Sequence, residues 1–94
     1  MKGISLNIFL NKKILIYGLG KSGLSSFTFL KKKSEVFLYD DNLSKVKALN
    51  LKKNSITYKN ILKSTFDQII ISPGIDINKC KLSKFLKKNN YKVY

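Results

Sequence analysis

The sequence contains no histidine, no arginine and a single cysteine, Cys80, and each scarcity excludes a class of site. One cysteine cannot form an internal disulfide, which fits a reducing compartment. Without histidine and with only one thiol, the chain lacks a zinc ligand set. Because Cys80 also has no visible base partner, we interpret it as a small, partly buried side chain. The sequence therefore predicts no metal ligands and no catalytic residues.

Long apolar runs are missing as well. No stretch approaches the ~18 apolar residues that a membrane span needs. The apolar residues at 4–10, preceded by Lys2, faintly resemble a signal peptide, but Asn7 and Asn11 interrupt the pattern and no small-residue cleavage site follows. We therefore expect a cytoplasmic protein with no membrane partner.

Negative charge is scarce, since only five acidic residues oppose 19 basic ones, giving a formal net charge of +14. A nucleic-acid-binding module is one hypothesis for such a balance. All of the basic residues are lysine, although arginine is the residue suited to bidentate contacts with phosphates and guanine. The lysines are spread over nearly every segment, and alanine occurs once, at Ala48. We interpret the high lysine content as the result of an AT-rich genome, and we expect no nucleic-acid partner.

The most informative stretch that is present reads Ile-Leu-Ile-Tyr-Gly-Leu-Gly-Lys-Ser-Gly at residues 14–23. A short apolar strand leads into a Gly-x-Gly-x-x-Gly turn, and a helical pattern follows. Gly18 allows a tight turn, Gly20 lets a phosphate approach the backbone, and Gly23 lets the helix pack closely on the strand. The first-turn N–H groups and the partial positive charge of the helix would then face an anion. The alternative is a tight strand–helix connection without a ligand.

Strand and helix patterns alternate along the rest of the chain, after a lead-in over residues 1–11 that could lie along an edge. Such alternation on short connections favours right-handed βαβ units. We predict a single Rossmann-like α/β domain over residues 1–94, with a parallel sheet of about five strands in the order 3-2-1-4-5, flanked by helices. The predicted strands cover residues 13–17, 35–39, 56–58, 67–71 and 91–94.

The predicted helices share an apolar face turned toward this sheet. The first covers residues 21–33. The second covers residues 44–50 and is capped by Ser44, and the last is capped by Ser83 or Asn78. The inward-facing side chains of the second and last helices are Leu43, Val46, Leu49 or Leu51, Leu82, Phe85 and Leu86.

Three turns would meet at the carboxyl edge of the sheet, where ligands bind in such folds. They are the glycine turn, the Asp40-Asp41-Asn42 turn after the second strand, and the Ser-Pro-Gly-Ile turn at residues 72–75. The first would cradle a phosphate, the second would lie near a ribose or base, and the third could close over a flat ring. Asp, Asn, Pro and Gly also favour turns and caps for purely structural reasons.

From spacing alone, the first candidate ligand is NAD. Asp40 ends the second strand about 20 residues after the glycine motif, where an acidic residue would hold the ribose 2′-hydroxyl. No histidine, cysteine pair or obvious general base beyond the turn carboxylates accompanies it. An NAD(P)-binding module of an oxidoreductase or regulator is thus one hypothesis.

The same three segments, Gly-Leu-Gly-Lys-Ser-Gly-Leu-Ser, Tyr-Asp-Asp-Asn and Ile-Ser-Pro-Gly-Ile, resemble the start of the MurD family of ligases. These ligases add D-glutamate to UDP-N-acetylmuramoyl-L-alanine in peptidoglycan synthesis. The resemblance covers essentially the whole chain, and the Ser-Pro-Gly-Ile turn is its most discriminating part. The three lysines before Ser34 depart from the glycine that often precedes the second strand in this family, a difference at the helix end and not at the site.

The resemblance implies that this N-terminal domain holds the UDP part of the substrate and not NAD. Lys21 and Ser22 would meet the diphosphate, the Asp40-Asp41-Asn42 turn would face the uracil and ribose, and the 72–75 turn would pack on the other side of the uracil. The implied substrate-binding residues are Gly18, Gly20, Lys21, Ser22, Gly23, Asp40, Asp41, Asn42, Ser72, Pro73, Gly74 and Ile75.

The resemblance also implies that the chemistry lies outside this chain. The family's reaction uses ATP and Mg²⁺ to phosphorylate the substrate carboxylate, which the amine of D-glutamate then attacks. The P-loop-like sequence of the family's central domain does not occur in these 94 residues, and we expect neither the central nor the C-terminal domain within them. We therefore expect a piece of a parent ligase, truncated or excised, that binds the nucleotide sugar without catalysing the ligation.

Overall fold

The computed structural model describes residues 12–89 and has an α/β architecture, with helices packed on a small parallel sheet. The strands and helices of this part of the chain, in order, are β1 (Lys13–Tyr17), α1 (Lys21–Leu30), β2 (Glu35–Tyr39), α2 (Leu43–Leu49), α3 (Tyr58–Lys63), β3 (Gln68–Ile71) and α4 (Ser83–Asn89). None of these helices has the length and apolar character that crossing a membrane requires.

The three described strands pair in the order β2-β1-β3, all parallel. Tyr17, the last residue of β1, lies level with Tyr39 of β2 and with Ile71 of β3. The three strands therefore end at the same edge of the sheet. The turns that follow them are brought together there, as the sequence predicts.

The central strand explains why its sequence is apolar without interruption. Its side chains alternate between the two faces of the sheet, and both faces are covered. Leu15 and Tyr17 pack on one face with residues from α3, α4 and the segments before β3 and α4, whereas Ile14 and Ile16 pack on the other face with α1. All four side chains are completely buried, and burying an aliphatic side chain of this size contributes roughly 1.5–3 kcal/mol.

The predicted third strand over residues 56–58 is wrong. Only Ser55 makes a bridge to β2, opposite Leu38, and the chain then turns into α3. The reason is local: the side chain of Thr57 accepts a hydrogen bond from Asn60 N at 3.2 Å and so caps a helix beginning at Tyr58.

The edge of β2 is nevertheless covered along part of its length. Leu38 N donates to Asn54 O at 2.8 Å and Ile56 N donates to Leu38 O at 3.2 Å. The side-chain amide of Asn54 donates to Val36 O at 3.0 Å. These bonds satisfy backbone groups that a complete third strand would otherwise pair.

Two helix boundaries also differ from prediction. The helix predicted over residues 21–33 ends at Leu30, because Lys33 N and Ser34 N both donate to Leu30 O and close a turn. The second helix begins at Leu43 with Asn42 as its N-cap, since the Asn42 side chain accepts a hydrogen bond from Ser44 N at 3.1 Å. Ser44 is therefore not the cap.

The predicted apolar faces are mostly confirmed. Leu82, Phe85 and Leu86 are buried against the sheet, but Leu43, predicted to face inward, is 53% exposed because it lies in the first turn of α2 beyond the edge of the sheet. Further apolar side chains are partly buried against the α1 side of the core: Val46, Leu49 and Leu51. Cys80 is partly buried, as predicted.

Of the two remaining predicted strands, one lies within the described residues and the other lies outside them. The strand predicted at 67–71 covers Gln68–Ile71, while Asp67 receives Lys13 N on its carboxylate at 2.7 Å and joins the starts of the two strands. The lead-in at 1–11 and the fifth strand at 91–94 lie outside residues 12–89. The five-stranded sheet in the order 3-2-1-4-5 is therefore not confirmed.

Two tyrosines that end neighbouring strands differ in whether their hydroxyl groups have hydrogen-bond partners. Tyr17 and Tyr39 lie level in the sheet with ring centroids 6.0 Å apart. The Tyr17 hydroxyl donates to Asp41 Oδ1 at 2.7 Å and accepts from Leu82 N at 3.4 Å. The buried Tyr39 hydroxyl has no partner among residues 12–89. Burial raises the pKa of both phenols, helped for Tyr17 by its bond to Asp41.

Replacing each tyrosine by phenylalanine should therefore shift stability in opposite directions. Tyr39→Phe removes an unsatisfied buried hydroxyl and should raise the free energy of unfolding by about 1 kcal/mol. Tyr17→Phe leaves Leu82 N and Asp41 without their partner and should lower it by about 1–3 kcal/mol. Urea denaturation of the two variants at neutral pH measures both changes, and a shift of the same sign in both would contradict the assignment.

Candidate functional site

The turn after β1 is built on a backbone conformation that only glycine adopts readily. Gly18 has a φ of +105°, and a Cβ there would lie 2.5 Å from Ser72 Oγ. Its N–H donates to Tyr39 O at 2.8 Å. The predicted tight turn at Gly18 is confirmed, and two neighbouring segments enclose it.

Gly23 and Gly20 differ in what surrounds them. A Cβ on Gly23 would overlap the Gly18 carbonyl oxygen and would also meet the side chain of Ile16, so the start of α1 packs directly on the turn. A Cβ on Gly20 would meet nothing within 4 Å. The protein itself therefore requires glycine at position 23, whereas position 20 faces open space.

The three turns predicted to form the site do come together. They border one surface cleft of about 510 Å³ at the carboxyl edge of the sheet. The predicted site residues that line it are Gly18, Gly20, Lys21, Ser22, Asp40, Ser72, Pro73, Gly74 and Ile75. Gly23 is buried beneath the cleft, and Asp41 and Asn42 do not line it.

Asp40 connects two of the turns through its carboxylate. Its Oδ2 accepts a hydrogen bond from Leu19 N at 2.8 Å, and its Oδ1 accepts one from Asn42 N at 2.8 Å. Hydrogen bonds to a charged acceptor are among the stronger ones in proteins. Asp40 therefore fixes the glycine turn relative to the start of α2.

Ser72 connects the third turn to the first. Its N–H donates to Tyr17 O at 3.0 Å and its hydroxyl donates to Gly18 O at 3.0 Å. Ile75 N donates back to Ser72 O at 3.0 Å and closes the turn, which leaves Pro73 and Gly74 exposed. Two hydrogen bonds therefore join the short wall formed by residues 72–75 to the end of β1 and to the glycine turn.

The other two side chains of the second turn are directed elsewhere. The Asp41 carboxylate accepts from the Tyr17 hydroxyl and, at 3.2 Å, from Lys81 N, so it anchors the segment before α4. The Asn42 side chain caps α2. Of the Asp-Asp-Asn sequence, only Asp40 lines the cleft.

Sequence reasoning missed two residues of the cleft, Leu19 and Lys45. Lys45 lies in the first turn of α2, three residues after its N-cap, and this places it beside Asp40. Recognising Asn42 rather than Ser44 as the cap would have indicated that position. Leu19 is buried in the part of the core that packs on α1. Its apolar side chain gives no indication in the sequence that it borders a polar site.

The electrostatics of the cleft favour an anion. The ten-residue α1 begins here, and no side chain caps its first-turn N–H groups, so its partial positive end faces the cleft. The Lys21 and Lys45 ammonium groups add two positive charges, while the carboxylate of Asp40 already receives two backbone N–H groups. The charge of the lining is complementary to an anion, and the lining residues contain no thiol or imidazole.

Replacing Gly23 and Gly20 by alanine should show which of the two glycines the fold requires. Gly23→Ala forces a Cβ into the Gly18 carbonyl and should lower the free energy of unfolding by about 1–3 kcal/mol. Gly20→Ala meets no neighbouring atom and should change it by less than about 1 kcal/mol, the size of the loss expected when alanine replaces glycine at an N-cap. Thermal denaturation of both variants measures the difference, and equal losses would contradict the close packing at Gly23.

Comparison with known proteins identifies a family but no similar solved structure. Residues 12–93 match the model of a family described as Mur ligase MurD-like, N-terminal domain. No solved structure matches the chain significantly.

Several curated relatives are UDP-N-acetylmuramoylalanine–D-glutamate ligases. The chain is 38% identical over 77 residues to the enzyme of Lachnoclostridium phytofermentans, covering 71% of this chain and 17% of that protein. It is 36% identical over 76 residues to that of Rickettsia prowazekii, covering 77% and 17%. It is 33% identical over 78 residues to that of Bartonella henselae, covering 79% and 16%.

The chain thus spans about a sixth of the length of the ligases it matches. The similarity predicted from the three turns is confirmed by a family match over residues 12–93, which covers every described residue and the cleft. This chain belongs to the MurD-like N-terminal domain family of the Mur ligases.

Proposed function

We propose that this domain binds the UDP moiety of UDP-N-acetylmuramoyl-L-alanine, as the N-terminal domain of an ATP-dependent ligase that adds D-glutamate. The observation that carries the proposal is the cleft itself, in which an uncapped helix end, an open Gly20 and two lysines face a short wall at residues 72–75. The names of the relatives supply the substrate.

The diphosphate is proposed to lie at the start of α1. The N–H groups of the first turn supply donors, and Gly20 leaves room for an oxygen to approach the backbone. Lys21 and Lys45 supply charge from two different elements, and Ser22 supplies a hydroxyl. Ammonium groups and backbone N–H groups are common partners of phosphate oxygens in proteins.

The uridine is proposed to lie between Asp40 and the wall at residues 72–75. The wall presents Pro73, the open face of Gly74 and the partly buried Ile75, which together offer a flat apolar surface for a base. Asp41 and Asn42 remain part of the proposed site as the backbone of the turn, since their side chains hold the Tyr17 hydroxyl and the start of α2.

The ligation chemistry is assigned in this proposal to the rest of the parent ligase. ATP and Mg²⁺ are the cofactors that Mur ligases generally use. Within residues 12–89, no group of three or more His, Cys, Asp or Glu side chains is placed so that it could hold a metal ion. The central and C-terminal domains of the parent ligase are the proposed partners of this domain.

Asp40 has a structural role that does not depend on a nucleotide. In dinucleotide-binding folds, an acidic residue at this position holds the ribose hydroxyls of the cofactor. Here, each oxygen of Asp40 already accepts a backbone N–H at 2.8 Å. Its principal role is therefore to hold the glycine turn in place.

The central experiment is isothermal titration calorimetry of the 94-residue chain with UDP-N-acetylmuramoyl-L-alanine, UDP, NAD⁺ and NADP⁺. We expect saturable binding of the two uridine nucleotides and none of the dinucleotides, because the cleft combines a diphosphate site with a short wall. Saturable binding of NAD⁺ alone would overturn the proposal in favour of the dinucleotide module.

The contribution of the diphosphate is tested with Lys21→Gln. The loss of one ammonium group from the cleft should weaken UDP binding by about three- to tenfold and leave uridine binding unchanged, because only the phosphates meet the charge. Lys84→Gln, an equal change at an exposed position on α4, is the matched control. An equal effect of both variants would show that net charge, and not the cleft, attracts the nucleotide.

A further inference from the structure

A second cavity lies beside the outer edge of β2, the edge that does not pair with β1. We call it the edge pocket; its apolar lining consists of Tyr39, Leu43, Val46, Ile56 and Tyr58. It measures about 490 Å³ and shares no lining residue with the cleft at the glycine turn. It is present because residues 56–58 leave the sheet after the single Ser55 bridge, which opens a gap between α2 and the start of α3.

The edge pocket exposes apolar surface that the fold does not cover. No residue of α2 is fully buried, and Leu43 at its start is 53% exposed. Val46 is only partly buried from the other side. Apolar side chains gathered around a concavity are the usual lining of a small-molecule site.

The floor of the edge pocket holds an unsatisfied polar group. Tyr39 lines the pocket and is only 1% exposed, yet its hydroxyl has no hydrogen-bond partner in the described part of the chain. Buried hydroxyl groups almost always have a partner. The hydroxyl oxygen is itself almost fully covered, so an acceptor atom of a bound molecule would supply the partner once the side chains over it shift.

The rim of the edge pocket is positively charged. Lys47 comes from α2, Lys59 from α3 and Lys81 from the segment before α4. The Lys81 ammonium lies 4.6 Å from the centroid of the Tyr58 ring. The Asp41 carboxylate, two residues after Tyr39 in the sequence, is bonded to the Tyr17 hydroxyl and to Lys81 N. The charge of the rim is therefore complementary to an anion.

We propose that the edge pocket binds a small molecule with a planar aromatic ring and a single anionic group. The ring packs among Leu43, Val46 and Tyr58, the anion meets the lysine rim, and an acceptor atom takes the Tyr39 hydroxyl. The ligand differs from a uridine nucleotide in needing no helix N-terminus, and the proposal does not depend on UDP binding at the cleft.

The experiment is a titration of the ¹⁵N-labelled 94-residue chain with 2-naphthoate, followed by amide chemical shifts. The cation 2-naphthylmethylammonium, which has the same ring system and the opposite charge, is titrated in parallel. We expect saturable shifts at Tyr39, Val46 and Tyr58, unperturbed signals at residues 18–22, and binding of the cation at least about tenfold weaker. Absence of saturation, equal binding of the cation, or displacement of naphthoate by UDP would overturn the proposal.

Three variants test the assignment to residues. Lys81→Glu reverses a charge at the rim and should weaken naphthoate binding by about tenfold, whereas Lys84→Glu, exposed on α4 outside the pocket, should leave it nearly unchanged. Tyr39→Phe should weaken it by about three- to tenfold while the chain stays folded, since only a hydrogen bond is removed. Equal effects of the two charge reversals, or no effect of Tyr39→Phe, would contradict the proposed site.

Discussion

The backbone at Gly18 is the point on which the rest of the architecture depends. With its φ of +105°, this residue ends the central strand and is held from three directions: its N–H binds Tyr39 O, its carbonyl receives the Ser72 hydroxyl, and Gly23 packs against it. These contacts join β1 to the ends of β2 and β3 and to the start of α1. A side chain at position 18 or 23 would separate elements that have to touch, so the cleft exists only because both positions are glycine.

Much of this arrangement follows from the sequence, because its strongest signals are local. The apolar runs that became β1 and β2 were predicted with the observed bounds, and the glycine spacing placed the helix that follows. The third strand could not be predicted correctly, since Ile56-Thr57-Tyr58 is rich in strand-forming residues and only the capping bond from Asn60 to Thr57 reveals a helix start. Leu43 was misplaced for a similar reason: its apolar character does not show that the sheet ends before it.

The side chains of the second turn show where sequence reasoning about the site stops. Position alone indicates that Asp40, Asp41 and Asn42 reach the carboxyl edge of the sheet, and they do. It does not indicate which group each side chain binds, since that depends on atoms far away in the chain: Leu19 N for Asp40, and the Tyr17 hydroxyl and Lys81 N for Asp41. The pattern that first suggested a ribose-binding carboxylate is therefore, in the folded chain, the connection between two turns.

The same observation extends to every aspartate in the sequence. Asp67 accepts from Lys13 N and Asp76 from Asn78 N, so all four aspartates receive a backbone N–H at the end of a strand or in a turn. In a chain of net charge +14, these scarce carboxylates stabilise loops, and the lysines around the cleft and the edge pocket stay available to solvent and to ligands. Positive charge spread over a surface attracts any anion. Discrimination between anions must therefore come from fixed geometry: the ordered N–H groups at the start of α1 in the cleft, and the apolar walls of the edge pocket.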